Sequence, residues 1–326
     1  GGVGLLKAIS VLYNRSLKIV KTEESSPNIL KSQEDRNPEE HSKRGYGYDQ
    51  RLVKGWEARK SLFRTQYSAF IRRRVGKYVV QYSSMHTTRK RKIETKIDKG
   101  LNSEPVRVIQ AFDHDKKFNF NKVHQNEIIC ALRETAKNGV IFLWRHENSK
   151  KYIKKPERKD KGAGSDGDTG YGYSTLLLIN ISPLTPAHCV IAYNVTDCMP
   201  QVLTNNSLRL GIKLIAYSNR PDSRIVFNSL GAYASQNHLH MHYITLKELG
   251  FEDNMFPVEK ASLECRRGIA PGTWAVGGYP VASFRFDQVG NIVDENSIEN
   301  LLNKVYTFVR VLQGRNIAHN IIILPR

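Results

Sequence analysis

This sequence has few cysteines and no long apolar run. The first disfavours a disulfide-bonded secreted protein, and the second disfavours a membrane protein. The 326 residues include four cysteines, and no two of them have C-x-x-C spacing. We therefore expect reduced thiols in a cytoplasmic protein. No run of eighteen apolar residues occurs, so we expect no transmembrane helix and no membrane partner. The apolar start is broken by Lys7 and lacks a convincing cleavage site, so no secretory signal is expected.

Acidic residues are also in deficit. The chain has 31 Asp and Glu against 50 Lys and Arg, and its formal net charge is +19. Such a balance suggests a nucleic-acid partner. Most of the excess lies in three runs, 72–77, 89–99 and 150–161, which resemble loops and lack the interleaved aromatic residues of a base-stacking surface. We interpret them as solvated basic loops and consider a nucleic-acid partner the weaker alternative.

What the sequence does contain is an alternating histidine pattern. His238, His240 and His242 are separated by single apolar residues. Because side chains of an extended chain alternate between two faces, the three imidazoles are predicted to share one face of a strand. From the pattern alone, three interpretations are open: metal ligation, nucleophilic catalysis at phosphorus, or a histidine-rich strand without chemistry.

Strand and helix patterns surround the histidines. Apolar runs at 175–182, 187–193 and 224–230 predict strands, and leucines at helical spacing predict a helix over 205–218 with an Asn as its cap. The polar, proline-containing composition of residues 1–45 predicts a disordered tail.

Four ordered motifs carry a resemblance to a known family. They are F-N-F-N-K at 118–122, I-N-I-S-P-L-T-P-A-H at 179–188, F-N-S-L-G-A-Y-A-S-Q-N-H-L-H-M-H at 227–242 and I-A-H-N at 317–320. Together they resemble the histidine-triad nucleotide hydrolases and transferases. Within that group they are most similar to the GDP-D-glucose phosphorylases of animals and the GDP-L-galactose phosphorylases of plants.

The resemblance implies an α+β fold with a histidine-triad-like antiparallel sheet and flanking helices. It divides the chain into the tail at 1–45, a catalytic domain at 46–250 with a basic insertion at 137–173, and a partial second domain at 251–326. The last part resembles a degenerate second copy of the same unit, truncated at the C-terminus.

The resemblance also implies catalytic roles. The middle histidine of the family is the nucleophile, which corresponds to His240. It would attack the α-phosphorus of GDP-glucose, release glucose 1-phosphate and pass the guanylyl group to inorganic phosphate. The carbonyl of His238 is expected to fix the tautomer of His240, and His242 to protonate the leaving oxygen. No metal or cofactor is expected.

The predicted substrate ligands share polar or small character and lie within the motifs. They are Ser235, Asn228, Gly231, Asn237, His188, Asn119, Asn121 and Lys122. For His188 the alternative is a core histidine without a role in catalysis. For residues 118–122 the alternative is an ordinary half-buried strand, with Phe and Asn on opposite faces.

Two other functions compete with phosphorolysis. One is a histidine-triad nucleotide hydrolase that uses water as the acceptor. The other is a basic nucleic-acid-binding protein in which the histidine strand is vestigial, and steep salt dependence of binding would distinguish it.

Overall fold

A computed structural model describes residues 7–12, 48–65, 70–84, 107–114, 118–134, 140–144, 175–247, 249–265, 272–287 and 295–325. Over these ranges, no helix combines the length and hydropathy needed to cross a bilayer.

Most strands join one sheet of eleven strands. The strands are β1 (Lys7–Leu12), β2 (Ile71–Val75), β3 (Tyr78–Tyr82), β4 (Ile128–Glu134), β5 (Val140–Trp144), β6 (Thr175–Ile179), β7 (Cys189–Ala192), β8 (Ser223–Asn228), β9 (His240–Thr245), β10 (Ser262–Glu264), β11 (Thr273–Gly277), β12 (Ala282–Asp287) and β13 (His319–Leu324). Their order in the sheet is β10-β11-β12-β1-β13-β8-β9-β7-β6-β4-β5, and β2 and β3 form a separate hairpin. The pairings of the large sheet are antiparallel except those of β1 with β12 and β13.

In the described ranges three α-helices accompany the sheet: α1 (Asp49–Glu57), α2 (Asn205–Tyr217) and α3 (Glu295–Gly314). Their apolar residues join one core with the apolar residues of the sheet. This arrangement confirms the predicted α+β class, with an antiparallel sheet and helices packed on it. The cap of α2 is Thr204 rather than an Asn, because the Thr204 hydroxyl accepts from the Ser207 amide in a reciprocal capping box.

The period of two along β9 decides what each face of the sheet carries. Met241 and Tyr243 are each 1% exposed and lie in the core with the helices. His240 and His242 alternate with them and therefore point to the opposite face. On that face His240, His242 and the neighbouring Val226 line a cavity whose described wall contains no α-helical residue.

One segment that alternates in the sequence is a turn. An ordinary half-buried strand was the alternative interpretation of 118–122, but Phe120–Lys122 forms a 3-10 turn. The Asn119 side chain accepts from the Asn121 amide, which holds the backbone in the turn in place of a ladder.

The predicted domain limits differ from the structure in three places. Part of the tail, Lys7–Leu12, is strand β1, because its amides and carbonyls pair with two neighbouring strands. Part of the insertion, Val140–Trp144, is strand β5, paired with β4; the lysine-rich run 150–161 lies outside the described residues. Residues 251–326 contribute β10 to β13 to the same sheet and core, so this segment is continuous with the preceding one. That it is a second copy of the first unit stays a prediction.

A buried carboxylate fastens α1 to the back of the histidine strand. Asp49 is 4% exposed and accepts hydrogen bonds from the Ser218 hydroxyl (2.8 Å), the Asn219 amide (2.6 Å) and the Tyr243 hydroxyl (2.9 Å). Tyr243 follows His242, so this cluster supports the strand directly behind the cavity face.

We predict that Asp49→Ala lowers the free energy of unfolding by about 3 kcal/mol, because the buried hydroxyls of Ser218 and Tyr243 and the Asn219 amide lose their acceptor. The measurement is chemical denaturation, with the exposed Asp197→Ala as the control expected to change little. In a double-mutant cycle with Tyr243→Phe, additive losses would show that the carboxylate does not act through Tyr243.

Candidate active site

The face of the sheet opposite the helices contains a cavity of about 300 Å³. Its wall combines the carboxyl end of β8, the first residues of β9, the turn between β6 and β7 and the loop 233–236. The lining residues are Phe120, Asn180, Ile181, Ser182, Leu184, His188, Val190, Val226, Asn228, Tyr233, Ser235, Gln236, His240, His242 and Ile244.

The ring of His240 is fixed by a backbone carbonyl. Its Nδ1 lies 2.7 Å from the carbonyl oxygen of His238. Because a carbonyl only accepts, Nδ1 carries the proton and Nε2 keeps a bare lone pair. Burial lowers the pKa of His240 to about 4, and the bond to His238 opposes this shift only partly. The imidazole is therefore neutral at physiological pH, which is the state a nucleophile needs.

His242 has the opposite arrangement of protons, imposed by His188. The Leu184 amide donates to Nδ1 of His188 (3.0 Å), so this ring carries its proton on Nε2. That Nε2 lies 3.2 Å from Nδ1 of His242 and 3.1 Å from Nδ2 of Asn180. Of these two nitrogens only Nδ1 of His242 can accept, so we assign the donation to it, which leaves the proton of a neutral His242 on Nε2. His188 is thus connected to the triad and lines the same cavity.

His238 is placed differently from the other two histidines of the motif. Its ring is 1% exposed, packs against Phe112 and Phe120 with centroids 4.9 and 5.3 Å away, and is not in the cavity wall. Its Nδ1 accepts from the Phe120 amide (3.0 Å). Burial, and then the nearby His240, lower the pKa of His238 to about 4. In the structure the backbone carbonyl of His238, rather than its imidazole, contacts the reactive ring.

The loop between β8 and β9 supplies further polar groups. Ser235 and Asn228 line the cavity, as their predicted role requires. Gly231 lies outside the wall with φ +76°, a conformation that glycine adopts at little cost and that lets the loop turn. Tyr233 was not predicted: it is 67% exposed at the rim and has φ +72°. A strained, exposed aromatic residue beside a cavity is typical of a ligand contact, and no local sequence signal distinguishes it from other tyrosines.

The remaining predicted ligands do not reach the cavity wall. Asn119 stabilises the 3-10 turn, and Asn121 donates to Sγ of Cys198 (3.3 Å). Asn237 accepts from the Gln201 amide and donates to the Ala111 carbonyl. Lys122 is also absent from the wall, whereas its neighbour Phe120 is part of it. A substrate role for these polar side chains stays a prediction.

The described wall of the cavity is neutral in its side-chain composition apart from histidine. Among its described lining residues none is Lys or Arg. Within the same described ranges, no group of three or more His, Cys, Asp or Glu is placed to hold a metal ion. The described wall therefore offers an anion neutral N–H and O–H donors, the kind of groups that form an oxyanion hole.

The strand with His238, His240 and His242 lies in a largely antiparallel sheet, and the middle ring is held on the carbonyl of His238, as the resemblance to histidine-triad proteins implied. Residues 152–244 match the family described as GDPGP1-like, N-terminal domain. This match confirms the resemblance indicated by the motifs.

Curated proteins named as GDP-sugar phosphorylases are similar to this chain. The chain is 30% identical over 286 residues to GDP-L-galactose phosphorylase 1 of Arabidopsis thaliana. The matched region covers 83% of this chain and 54% of the relative. The chain is 27% identical over 247 residues to GDP-D-glucose phosphorylase 1 of Danio rerio, covering 76% and 55% respectively. The chain thus spans about half the length of these relatives. Among solved structures, yeast Ap4A phosphorylase Apa2 in complex with Ap4A matches 86% of this chain and 78% of that chain, with 10% identity and a TM-score of 0.46.

The two buried imidazoles predict an acid-sensitive fold. Both histidines have a folded-state pKa of about 4 against 6.5 in the unfolded chain. Between these values the unfolded state binds more protons, so the free energy of unfolding falls as pH is lowered from about 6.5 to about 4. His240→Asn should reduce the proton uptake on unfolding near pH 5 by about one.

The measurement is denaturant unfolding at several pH values. Asn228→Ala, which removes a non-titrating side chain from the same cavity, is the control and should leave the pH slope unchanged. An unchanged slope in His240→Asn would contradict the assignment of a buried neutral ring.

Proposed function

We propose that the chain carries out phosphorolysis of GDP-D-glucose to GDP and glucose 1-phosphate through a covalent guanylyl group on His240. One observation carries the proposal. At a single cavity, His240 offers a bare nitrogen and His242 offers an N–H, with both tautomers set by hydrogen bonds. The curated relatives support a GDP-hexose as the substrate and phosphate as the acceptor.

In the first step, Nε2 of His240 attacks the α-phosphorus. A nitrogen–phosphorus bond forms, and the bond from the α-phosphorus to the bridging oxygen breaks. Glucose 1-phosphate leaves with the bonding electron pair on that oxygen. The Nε2–H of His242 is the nearest triad donor for the developing charge, since the rings of His240 and His242 have centroids 5.1 Å apart.

In the second step, an oxygen of inorganic phosphate attacks the α-phosphorus of the guanylyl-imidazole. The nitrogen–phosphorus bond breaks, GDP forms, and His240 regains its neutral ring. Splitting one displacement into two lets the same positioned groups serve both the leaving oxygen and the entering one.

Substrate binding relies on dipoles inside the cavity and on charge outside it. Ser235, Gln236 and Asn228 bring hydroxyl and amide groups to the wall, while Val226 and Ile244 make part of it apolar. The net charge of +19 attracts an anionic nucleotide over a longer range. Tyr233 at the rim presents a ring on which a base can stack.

The proposal predicts a covalent intermediate on His240. Enzyme incubated with GDP-glucose alone should acquire one acid-labile guanylyl group, detected by mass spectrometry of the quenched protein. In the absence of phosphate, labelled glucose 1-phosphate should exchange into GDP-glucose, because the first step is reversible. His240→Asn should lose the adduct, exchange and turnover, yet keep its melting transition.

His242→Gln is the matched variant. It should retain turnover within about 10²-fold of the parent, since its amide still donates an N–H where the imidazole does. An adduct on another residue, or robust exchange in His240→Asn, would overturn the assignment of the nucleophile. GMP formation independent of phosphate would instead indicate hydrolysis.

A further inference from the structure

Strands β8 and β9 separate just before the nucleophile. Their ladder runs from the pair Ser223–Thr245 to the pair Val226–His242 and stops there. On its other side β9 remains paired with β7 as far as His240, which faces Ala192. His240 therefore has one edge without a strand partner, and its amide and carbonyl on that edge need other partners because the residue is 3% exposed.

The side chain of Gln201 occupies the gap. Its Oε1 accepts from the His240 amide (2.9 Å), and its Nε2 donates to the His240 carbonyl (3.0 Å). The same Nε2 donates to the carbonyl of Asn228 on β8 (2.9 Å). One carboxamide thus makes both hydrogen bonds that a neighbouring strand would make to His240, and it also ties β8 to β9.

Gln201 is itself held from several directions. It is 0% exposed, and its own amide donates to Oδ1 of Asn237 (2.9 Å). Nearby, the Leu239 amide donates to the Met199 carbonyl (2.9 Å). The segment around Gln201 therefore runs beside the residues that precede the nucleophile, and the carboxamide has little freedom to move.

We propose that Gln201 is a positioning residue for His240: its carboxamide replaces the absent strand and so sets the direction in which the imidazole points. The path is short. Gln201 fixes the backbone on both sides of the His240 Cα, and the ring then reaches back to the carbonyl two residues earlier. A nucleophile misplaced by about 1 Å loses on the order of 10² in rate.

A purely structural glutamine would have a different signature. Removing its carboxamide would destabilise the fold but leave the surviving folded molecules with a normally oriented His240. Gln313 is a matched glutamine in the same core: it is 9% exposed and its Nε2 donates to the Leu203 carbonyl (3.1 Å) rather than to the backbone of His240. Gln313→Leu is therefore the matched control for Gln201→Leu.

The first measurement is the tautomer of His240 in the free protein, followed by nitrogen-15 NMR of the imidazole. In the parent and in Gln313→Leu we expect one population with the proton on Nδ1. In Gln201→Leu we expect a mixture of Nδ1–H and Nε2–H forms, because the carbonyl of His238 is no longer held in register with the ring. This readout does not require turnover.

The second measurement is steady-state turnover of GDP-glucose, and this arm rests on the proposed function. Gln201→Leu should lower kcat by about 10²-fold with KM within a few-fold, because orientation rather than substrate binding is lost. Gln201→Glu keeps the acceptor for the His240 amide but loses both donated bonds, so its kcat should fall between the parent and Gln201→Leu. Gln313→Leu should retain the parent kcat.

The outcomes distinguish a failure of the positioning role of Gln201 from a failure of the proposed function. A parent-like tautomer in folded Gln201→Leu overturns the positioning role, whatever the activity. A mixed tautomer in a protein whose parent does not turn over GDP-glucose supports the positioning role and contradicts the proposed function. If Gln201→Leu fails to fold, the same NMR comparison on Gln201→Glu decides, and a parent-like ring there overturns the proposal.

Discussion

The hydrogen bond from Nδ1 of His240 to the carbonyl of His238 is the contact on which the rest of the site depends. It places the proton on Nδ1 and leaves the lone pair of Nε2 available. It forms only while the backbone at His238 and His240 keeps its conformation. The sheet supplies that constraint from one side through β7, and the side chain of Gln201 supplies it from the other. Behind the strand, Met241 and Tyr243 anchor it to the helices and to Asp49.

Two identical side chains acquire opposite roles from their surroundings. His240 meets an acceptor at Nδ1 and becomes a base at Nε2, whereas His242 meets a donor at Nδ1 and becomes a donor at Nε2. The difference begins at the Leu184 amide, which fixes the tautomer of His188. A nitrogen that can accept a proton and a nitrogen that can donate one therefore lie on neighbouring rings. The cost is a fold that weakens in acid, because neutral buried imidazoles favour protonation on unfolding.

Much of this arrangement was predictable from local patterns. The alternation of histidine with apolar residues predicted a strand with histidines on one face and apolar side chains on the other. In the structure His240 and His242 lie on the first face, and Met241 and Tyr243 lie on the second. The apolar runs predicted β6, β7 and β8, and leucine spacing predicted α2. The motifs indicated the histidine-triad class, and the contact of His240 with the carbonyl of His238 was expected from it. These features follow from side-chain periodicity and from short sequence separations, so the sequence by itself determined them.

Tertiary structure alone decided the rest. Gln201 lies 39 positions before the residue it holds, and nothing near it in the chain marks the gap between β8 and β9. The ring of His238 shares the motif but leaves the cavity, because Phe112 and Phe120 enclose it. Strand β1 forms because two distant strands offer it hydrogen bonds, and Phe120–Lys122 turns because Asn119 outcompetes a ladder. Local periodicity specifies which way a side chain points, but which partner meets it depends on long-range contacts that a sequence pattern does not encode.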